Sequence, residues 1–278
     1  MLESAVLNRL PLLTSIDLET DSKSLSKALQ MFSVAPRLWA VKISNVSMNL
    51  ISLPMHQLVK LDMSTRNINE CLDVLQSTPR LNEATISFEI LHHTPRTSSM
   101  VVIPQSESLS LSMNRWSLHG FLLFLDALSL PSARTLKFQL QARTFPHTNF
   151  ISLINRSSCS LTRLDLLSVD ISDEHLIQCL HAVPLLRVLA LQHEGTAAIL
   201  RALNPEYATH FTYTEPVVPR LETFIYSTLE ESLSSDRDIH EMLYSRWGRD
   251  GFAFLRFVTI INPRVYSTGI AQRNSCSR

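Results

Sequence analysis

The sequence predicts an α/β fold: a right-handed solenoid, or horseshoe, with a parallel sheet on its concave side and helices or turns on its convex side. Three observations predict it: a recurring apolar motif, alternation at the end of each copy, and helical spacing between copies. The motif spans nine residues, with apolar side chains at positions one, four, seven and nine, as in Leu10, Leu13, Ile16 and Leu18. Self-similarity with a period of about 20–50 residues is typical of solenoids.

Ten copies of this motif cover the chain. Their first residues are Leu10, Ala35, Met55, Thr78, Ile103, Leu130, Ser158, Val183, Val218 and Phe252. Of the forty positions that the copies define, thirty-seven are apolar, whereas the 45% apolar composition would place eighteen there by chance. Seven of the thirteen prolines fall at position two of a copy, which supports the same alignment independently. We therefore expect a single repeat domain over residues 1–278, with a C-terminal tail at residues 263–278.

Each copy is expected to contribute one short strand. Its second half alternates apolar and polar residues, as in Ile16-Asp17-Leu18 and Leu164-Asp165-Leu166. This period of two is typical of a strand with one buried face. The polar or variable residues between the apolar ones should then point into the concave wall, because successive side chains alternate between the two faces.

Helices are expected between several of the strands, where apolar residues are spaced by threes and fours. These sets are Leu25, Ala28, Leu29 and Phe32; Ile68, Cys71, Leu72 and Leu75; Leu118, Phe121, Leu122 and Leu125; and Leu176, Ile177, Leu180 and Val183. Ser22, Asn67 and Ser172 are the expected N-caps. The recurrent proline should end each helix, since its ring clashes with a continuing helix. Cys71 and Cys179 are expected to fill the core.

Charge and hydropathy exclude several partners. The 25 basic and 25 acidic residues cancel, and no block of like charges suggests binding to nucleic acid. The longest apolar stretch, Phe121–Leu130, contains Asp126 and is far shorter than the roughly 20 residues of a membrane span. We therefore expect neither nucleic acid nor a membrane as partner.

Cysteine usage indicates a cytoplasmic or nuclear location. The four cysteines show neither paired spacing nor the density of a secreted disulfide framework. Residues 1–10 also lack the features of a signal peptide. Two glycosylation sequons, Asn45-Val46-Ser47 and Asn155-Arg156-Ser157, favour the alternative of an extracellular location.

No motif predicts catalysis. The five glycines form neither of the two common phosphate-binding motifs, and no G-x-S-x-G motif is present. The nearest metal candidates, His92-His93 with His175 and His181, lack zinc-ligand spacing. The adjacent Glu230-Glu231 pair is interpreted as part of a solvated acidic loop. We expect a protein that is not an enzyme, with no catalytic residue, no cofactor and no metal.

Three segments carry a resemblance to a known family. Residues 38–43, 161–166 and 186–191 resemble the L-x-x-L-x-L core of leucine-rich repeats, and the resemblance covers nearly the whole chain. Pro-Arg-Leu sequences at 36–38, 79–81 and 219–221 are similar to divergent repeats C-terminal to F-box domains in fungal proteins. The resemblance implies the substrate-binding region of an F-box ubiquitin-ligase adaptor. It implies a Skp-type adaptor as partner only if an F-box exists upstream.

The sequence departs from this family in two ways. The position three residues after the last strand leucine, usually Asn or Cys, is filled by Asp21, Val46, Arg66, Glu89, Asn114 and Val169. The residues ahead of the first copy do not resemble an F-box, and they resemble part of a helix of an earlier repeat. We expect either a truncated gene product or a segment 2–10 that packs as an improvised cap.

The predicted partner-binding site lies in the last third of the concave wall. Strand positions facing that wall are largely polar in the first seven copies and become apolar in the last three. We expect an apolar anchor for a protein partner with a polar rim. The anchor is Val188, Ala190, Ile225 and Phe257, and the rim is Lys137, Arg163 and Asp165.

Other interpretations of this region remain open. A loop with Tyr207, Phe211 and Tyr213 could instead cover the apolar residues and complete the core. The alternative functions are a structural scaffold without a ligase link and an enzyme with a cryptic site in the late loops.

Overall fold

The computed structural model describes residues 10–19, 31–89, 100–113, 118–141, 144–192, 197–204, 217–227, 236–246 and 255–261. Ten strands form one sheet, and their order in the sheet follows their order in the chain. They are β1 Ser15–Glu19, β2 Ala40–Ser44, β3 Lys60–Thr65, β4 Glu83–Phe88, β6 Ser108–Met113, β8 Thr135–Leu140, β9 Arg163–Leu167, β10 Val188–Gln192, β11 Thr223–Ser227 and β12 Phe257–Ile261. Every predicted strand is confirmed.

The registers are those that the motif predicts. Strands β1, β2, β3, β4 and β6 pair in parallel, in that order, and so do β9, β10, β11 and β12. Their middle residues align in two series: Asp17, Lys42, Asp62, Thr85 and Ser110; and Asp165, Ala190, Ile225 and Thr259. Two further strands, β5 Val101–Val102 and β7 Leu128–Ser129, form a separate parallel pair.

Helices lie between many of the strands. They are α1 Ile68–Ser77, α2 Leu118–Ala127, α3 His147–Ser157, α4 Asp173–His181, α5 Ala197–Ala202 and α6 Asp236–Arg246. Short 3-10 turns at Met31–Val34, Met48–Leu50 and Met55–Gln57 fill the shorter connections. The predicted helices over α1, α2 and α4 are confirmed. Most of the predicted helix from Leu25 to Phe32 lies outside the described residues.

The two N-caps that can be checked are confirmed. Asn67 Oδ1 accepts hydrogen bonds from the backbone N–H groups of Asn69 and Glu70. Ser172 Oγ accepts one from the N–H of His175 at 3.3 Å. Both contacts satisfy donors that the first helical turn leaves unpaired. The third predicted cap, Ser22, lies outside the described residues.

The recurrent proline lies in a turn that leads into the strand. In most described copies the carbonyl of motif position one accepts the N–H of position four, as between Ala35 and Leu38 at 3.1 Å. Proline at position two supplies the φ angle that such a turn requires at its second residue. The proline therefore shapes the start of the strand in addition to ending the preceding helix.

The residue immediately before each sheet strand, here called the lead-in residue, links neighbouring copies. The Thr14 carbonyl accepts hydrogen bonds from the N–H groups of Trp39 and Ala40. The Arg187 carbonyl does the same for Glu222 and Thr223. The same pairing recurs along the sheet, so the lead-in residues are in register with one another.

The chain divides into two compact units, each with a core of its own. The first unit comprises Met1–Leu136 and Thr148–Ser160, and the second comprises Lys137–His147 and Leu161–Arg278. The first unit packs Phe88 edge-on against Phe121 and Phe124. The second packs Phe138 edge-on against Phe145, with ring centroids 5.5 Å apart. The single repeat domain stays a prediction.

Cys71 in α1 and Cys179 in α4 are fully buried, as predicted. Burial raises the pKa of both thiols, to about 12 at Cys179. A thiol held neutral at physiological pH is a weak nucleophile, because the thiolate is the reactive form. Both cysteines therefore act as small apolar core residues.

The position three residues after the last apolar strand residue is occupied differently from one copy to the next. Val46 and Val169 are buried there, so they add apolar contact to the core. Arg66 and Glu89 occupy the position in consecutive copies and form an ion pair, with Nε and Oε2 2.7 Å apart. The turns after the strands are thus held by different interactions in different copies.

Candidate functional site

The predicted anchor residues share one face of the sheet in the second unit. Arg163, Val188, Thr223 and Phe257 align in one row across β9 to β12. Asp165, Ala190, Ile225 and Thr259 align in the next row on the same face. The intervening residues, including Leu164, Leu189 and Phe224, are buried, so the two rows lie on the face away from the core.

The apolar cluster, defined as Val188, Ala190, Ile225 and Phe257, is unevenly exposed. Phe257 is 66% exposed, while Val188 and Ile225 are partly exposed and Ala190 is buried. Phe257, Val188 and Ile225 therefore offer most of the contact area. Large apolar side chains that stay accessible on one patch are typical of a binding surface.

Two residues of the predicted polar rim are bound to each other. The Arg163 guanidinium contacts the Asp165 carboxylate through Nε at 3.0 Å and 3.2 Å and through its second terminal nitrogen at 3.0 Å. This bidentate geometry is the strongest form of an arginine–carboxylate pair. It leaves Asp165 buried and largely covered, so Arg163 contributes most of the accessible polar surface of the rim.

Lys137, the third rim residue, lies on β8, which neighbours β9 in the sheet. Its side chain is partly exposed. Among the residues that the structure describes, no ion pair involves Lys137. The seven predicted site residues therefore lie on neighbouring strands of one unit.

The lead-in residues of β10, β11 and β12 add a charged row that the sequence reasoning missed. Glu222 lies between two arginines, with Oε1 3.6 Å from an Arg187 terminal nitrogen and Oε2 3.9 Å from Arg256 Nε. The Arg187 and Arg256 side chains are 57% and 70% exposed. The signal was present in the sequence, as a charged residue directly before each of these strands.

The corresponding face of the first unit carries two ion pairs. Lys42 Nζ lies 2.9 Å from Asp17 Oδ2, and Lys60 Nζ lies 2.8 Å from Glu83 Oε2. The hydrogen bonds that the two ammonium groups donate to Asp17 and Glu83 raise the pKa of both lysines. Both pairs are exposed, and such pairs contribute little to folding stability.

A small pocket lies at the carboxyl ends of β2 and β3. It has a volume of about 170 Å³ and is lined by Asn45, Val46, Ser47, Ser64, Thr65, Arg66, Asn67 and Glu70. The Glu70 carboxylate accepts hydrogen bonds from Ser47 Oγ at 2.8 Å and from the Met48 N–H. Sites for small organic ligands are usually about 300–1,000 Å³. The pocket's polar groups are used mainly to hold the turn after β2 against α1.

The histidines do not form a metal-binding cluster in the described part of the chain. No three His, Cys, Asp or Glu residues converge there in a way that could hold an ion. His175 instead stacks on His147, with ring centroids 3.6 Å apart. Burial and the neighbouring His175 lower the pKa of His147. His92, His93, Glu230 and Glu231 lie outside the described residues, as do Tyr207, Phe211 and Tyr213.

Comparisons with known proteins give no identification. The chain matches no protein-family model and no curated protein sequence. Within the described residues, every helix is too short or too polar to span a lipid bilayer.

Proposed function

We propose that this chain is a non-catalytic protein-recognition module, built as an irregular leucine-rich repeat solenoid. The parallel strand in every copy supports this architecture, because a coil of strand and helix must return to the same side to place each strand beside the last. In such a solenoid the exposed face of the sheet is the concave wall. A cytoplasmic or nuclear location fits the cysteine usage.

The observation that carries the proposal is the exposure of Phe257 on the same sheet face of the second unit as Ile225 and Val188, which are partly exposed. A few large apolar side chains, surrounded by charged groups, provide most of the affinity in protein interfaces. Arg163 and Lys137 form the rim of this patch.

A double substitution tests the proposal. Ile225→Asp with Phe257→Asp places two carboxylates in the apolar cluster and should abolish retention of the protein partner. A matched control, Thr85→Asp with Ser110→Asp, makes the same charge change at the middle positions of β4 and β6. Thermal melting of both proteins separates a lost interface from lost folding, and retention by the first variant while it remains folded would contradict the proposal.

The Pro-Arg-Leu sequences support a finer proposal, in which this region selects substrates for an F-box ubiquitin-ligase adaptor. An F-box encoded upstream in the same reading frame is the requirement. Co-precipitation of a Skp-type adaptor with the product of that longer frame tests it. Failure of a full-length product that carries an F-box to bind the adaptor would overturn the ligase link and leave the recognition function standing.

A further inference from the structure

The neutral net charge of the chain conceals opposite charges on the sheet faces of the two units. On the first unit, the outward strand positions and lead-in residues carry three basic and five acidic side chains. These are Lys42, Lys60 and Arg134, with Asp17, Glu19, Asp62, Glu83 and Glu107. The same positions on the second unit carry four basic side chains, Lys137, Arg163, Arg187 and Arg256, and two acidic ones, Asp165 and Glu222. The surplus is therefore negative on the first face and positive on the second.

Two of these basic side chains lie at the starts of the strands that carry the apolar cluster. Arg187 and Arg256 immediately precede Val188 and Phe257 in the chain, and both side chains are exposed at that edge of the sheet. The two guanidinium groups share the single Glu222 carboxylate. One positive charge of this row is thus not neutralised by Glu222.

The contacts of Glu222 are loose compared with those of Asp165. Arg187 and Arg256 each approach Glu222 through one nitrogen, at 3.6 Å and 3.9 Å. Arg163 instead donates three hydrogen bonds of 3.0–3.2 Å to Asp165. An arginine offers five N–H donors, and bidentate contact with a carboxylate is its preferred geometry. Arg187 and Arg256 therefore retain donors for a second carboxylate.

We infer that the exposed sheet face of the second unit takes an acidic polypeptide segment whose carboxylates alternate with apolar side chains. The inference rests on the proposed recognition function and names the chemistry of its partner. Apolar side chains of the segment pack on Val188, Ile225 and Phe257, and its carboxylates bind Arg187 and Arg256. An anionic membrane fits less well, because lipid surfaces are bound by clusters of about 4–8 basic residues. Here Asp165 and Glu222 offset part of the positive charge.

Three pools of short synthetic peptides of equal length test the inference. All contain Leu and Phe at alternate positions, and the remaining positions hold Glu and Asp, Lys and Arg, or Gln and Asn. Fluorescence anisotropy with the full chain should show the acidic pool binding roughly fivefold more tightly than the neutral pool, since exposed ion pairs contribute modestly. Higher ionic strength should reduce this preference.

Matched charge-removing variants test whether the preference for the acidic pool depends on Arg187 and Arg256. Arg187→Gln with Arg256→Gln should remove the preference for the acidic pool, while Lys42→Gln with Lys60→Gln should keep it. A preference that survives the arginine variant would overturn the inference. Equal binding of all three pools would also overturn the inference. If that binding were lost in the Ile225→Asp, Phe257→Asp variant, the recognition function would still stand.

Two remaining outcomes are also decisive. Binding of no pool would overturn the inference, and the recognition function would then depend on its own partner-retention test. Sedimentation with phosphatidylserine vesicles, abolished by the arginine variant, would replace the acidic segment with a lipid surface.

Discussion

Arg246 donates its Nε–H to the backbone carbonyl of Leu203 at 2.7 Å. Its two terminal nitrogens donate to the carbonyls of Val218 and Val217 at 3.3 Å and 3.1 Å. The side chain, at the end of α6, is only 1% exposed. One buried cation thus joins the end of α5 to the turn before β11. Burial lowers its pKa to about 10, so it stays charged at neutral pH.

Replacing Arg246 with Met should lower the free energy of unfolding by about 2–4 kcal/mol. The substitution keeps an apolar stem but removes the guanidinium donors from the buried carbonyls of Leu203 and Val217. Arg220→Met is the matched control, because Arg220 is exposed in the neighbouring turn. Urea unfolding measures both, and equal stability of the two variants would refute the proposed role of the buried guanidinium.

Arg156 has a similar role in the first unit. Its Nε donates to the Leu128 carbonyl and a terminal nitrogen to the Leu125 carbonyl, both at 2.8 Å. Arg156→Met should lower the free energy of unfolding by about 1–2 kcal/mol. This is less than the effect expected at Arg246, because the Arg156 side chain is partly exposed. Exposed Arg80→Met provides the control in chemical denaturation. A change at Arg156 no larger than at Arg80 would contradict this prediction.

Ser158, which follows α3, has a φ of 49°, a left-handed conformation that is sterically unfavourable for a residue with a Cβ atom. Its exposed Oγ donates a hydrogen bond to the Asn155 carbonyl at 3.2 Å. Its N–H donates to the Ile154 carbonyl at 2.9 Å, which closes the helix end. Ser158→Gly should stabilise the protein by about 0.5–1 kcal/mol, because glycine adopts this conformation without steric cost. Ser158→Ala should not stabilise it. Calorimetric melting compares the three proteins, and a lower melting temperature for the glycine variant would count against this geometry.

The lowered pKa of His147, which stacks on His175, predicts that the free energy of unfolding depends on pH. The pKa of His147 is lowered by burial and then by the charge of His175, so the unfolded state binds its proton more readily. Stability should therefore fall as the pH decreases from the ordinary histidine pKa of about 6.5 toward the lowered value. His147→Gln should flatten this slope in urea titrations between about pH 5 and 8. An unchanged slope would show that the histidine pair does not contribute.

Strand positions and registers were predictable from the sequence because burial on one face imposes a strict alternation. A shift of one residue would turn Leu164 and Leu166 to the exposed face, so only one register buries the apolar set. The helices α1 and α4 were predictable because burial of one helix face places apolar residues three and four positions apart. Asn67 and Ser172 mark their starts.

The pairing of the lead-in charges and the burial of the two arginines were not predicted, because both depend on tertiary packing. Glu222 is shared by Arg187 and Arg256 only once three strands are aligned side by side. Arg246 reaches carbonyls 28 to 43 residues away in the chain. From composition alone it resembles any surface arginine, and only tertiary packing identifies it as buried.

Photo-crosslinking from defined positions tests the central claim most directly. Benzoylphenylalanine placed at Phe257 or at Ile225 should form a covalent bond to the protein partner, because both side chains lie in the proposed contact. The same group at Thr85 or Ser110, on the sheet face of the first unit, should give no such product. Equal crosslinking from all four positions, or crosslinking only from Thr85 and Ser110, would contradict recognition through the apolar cluster.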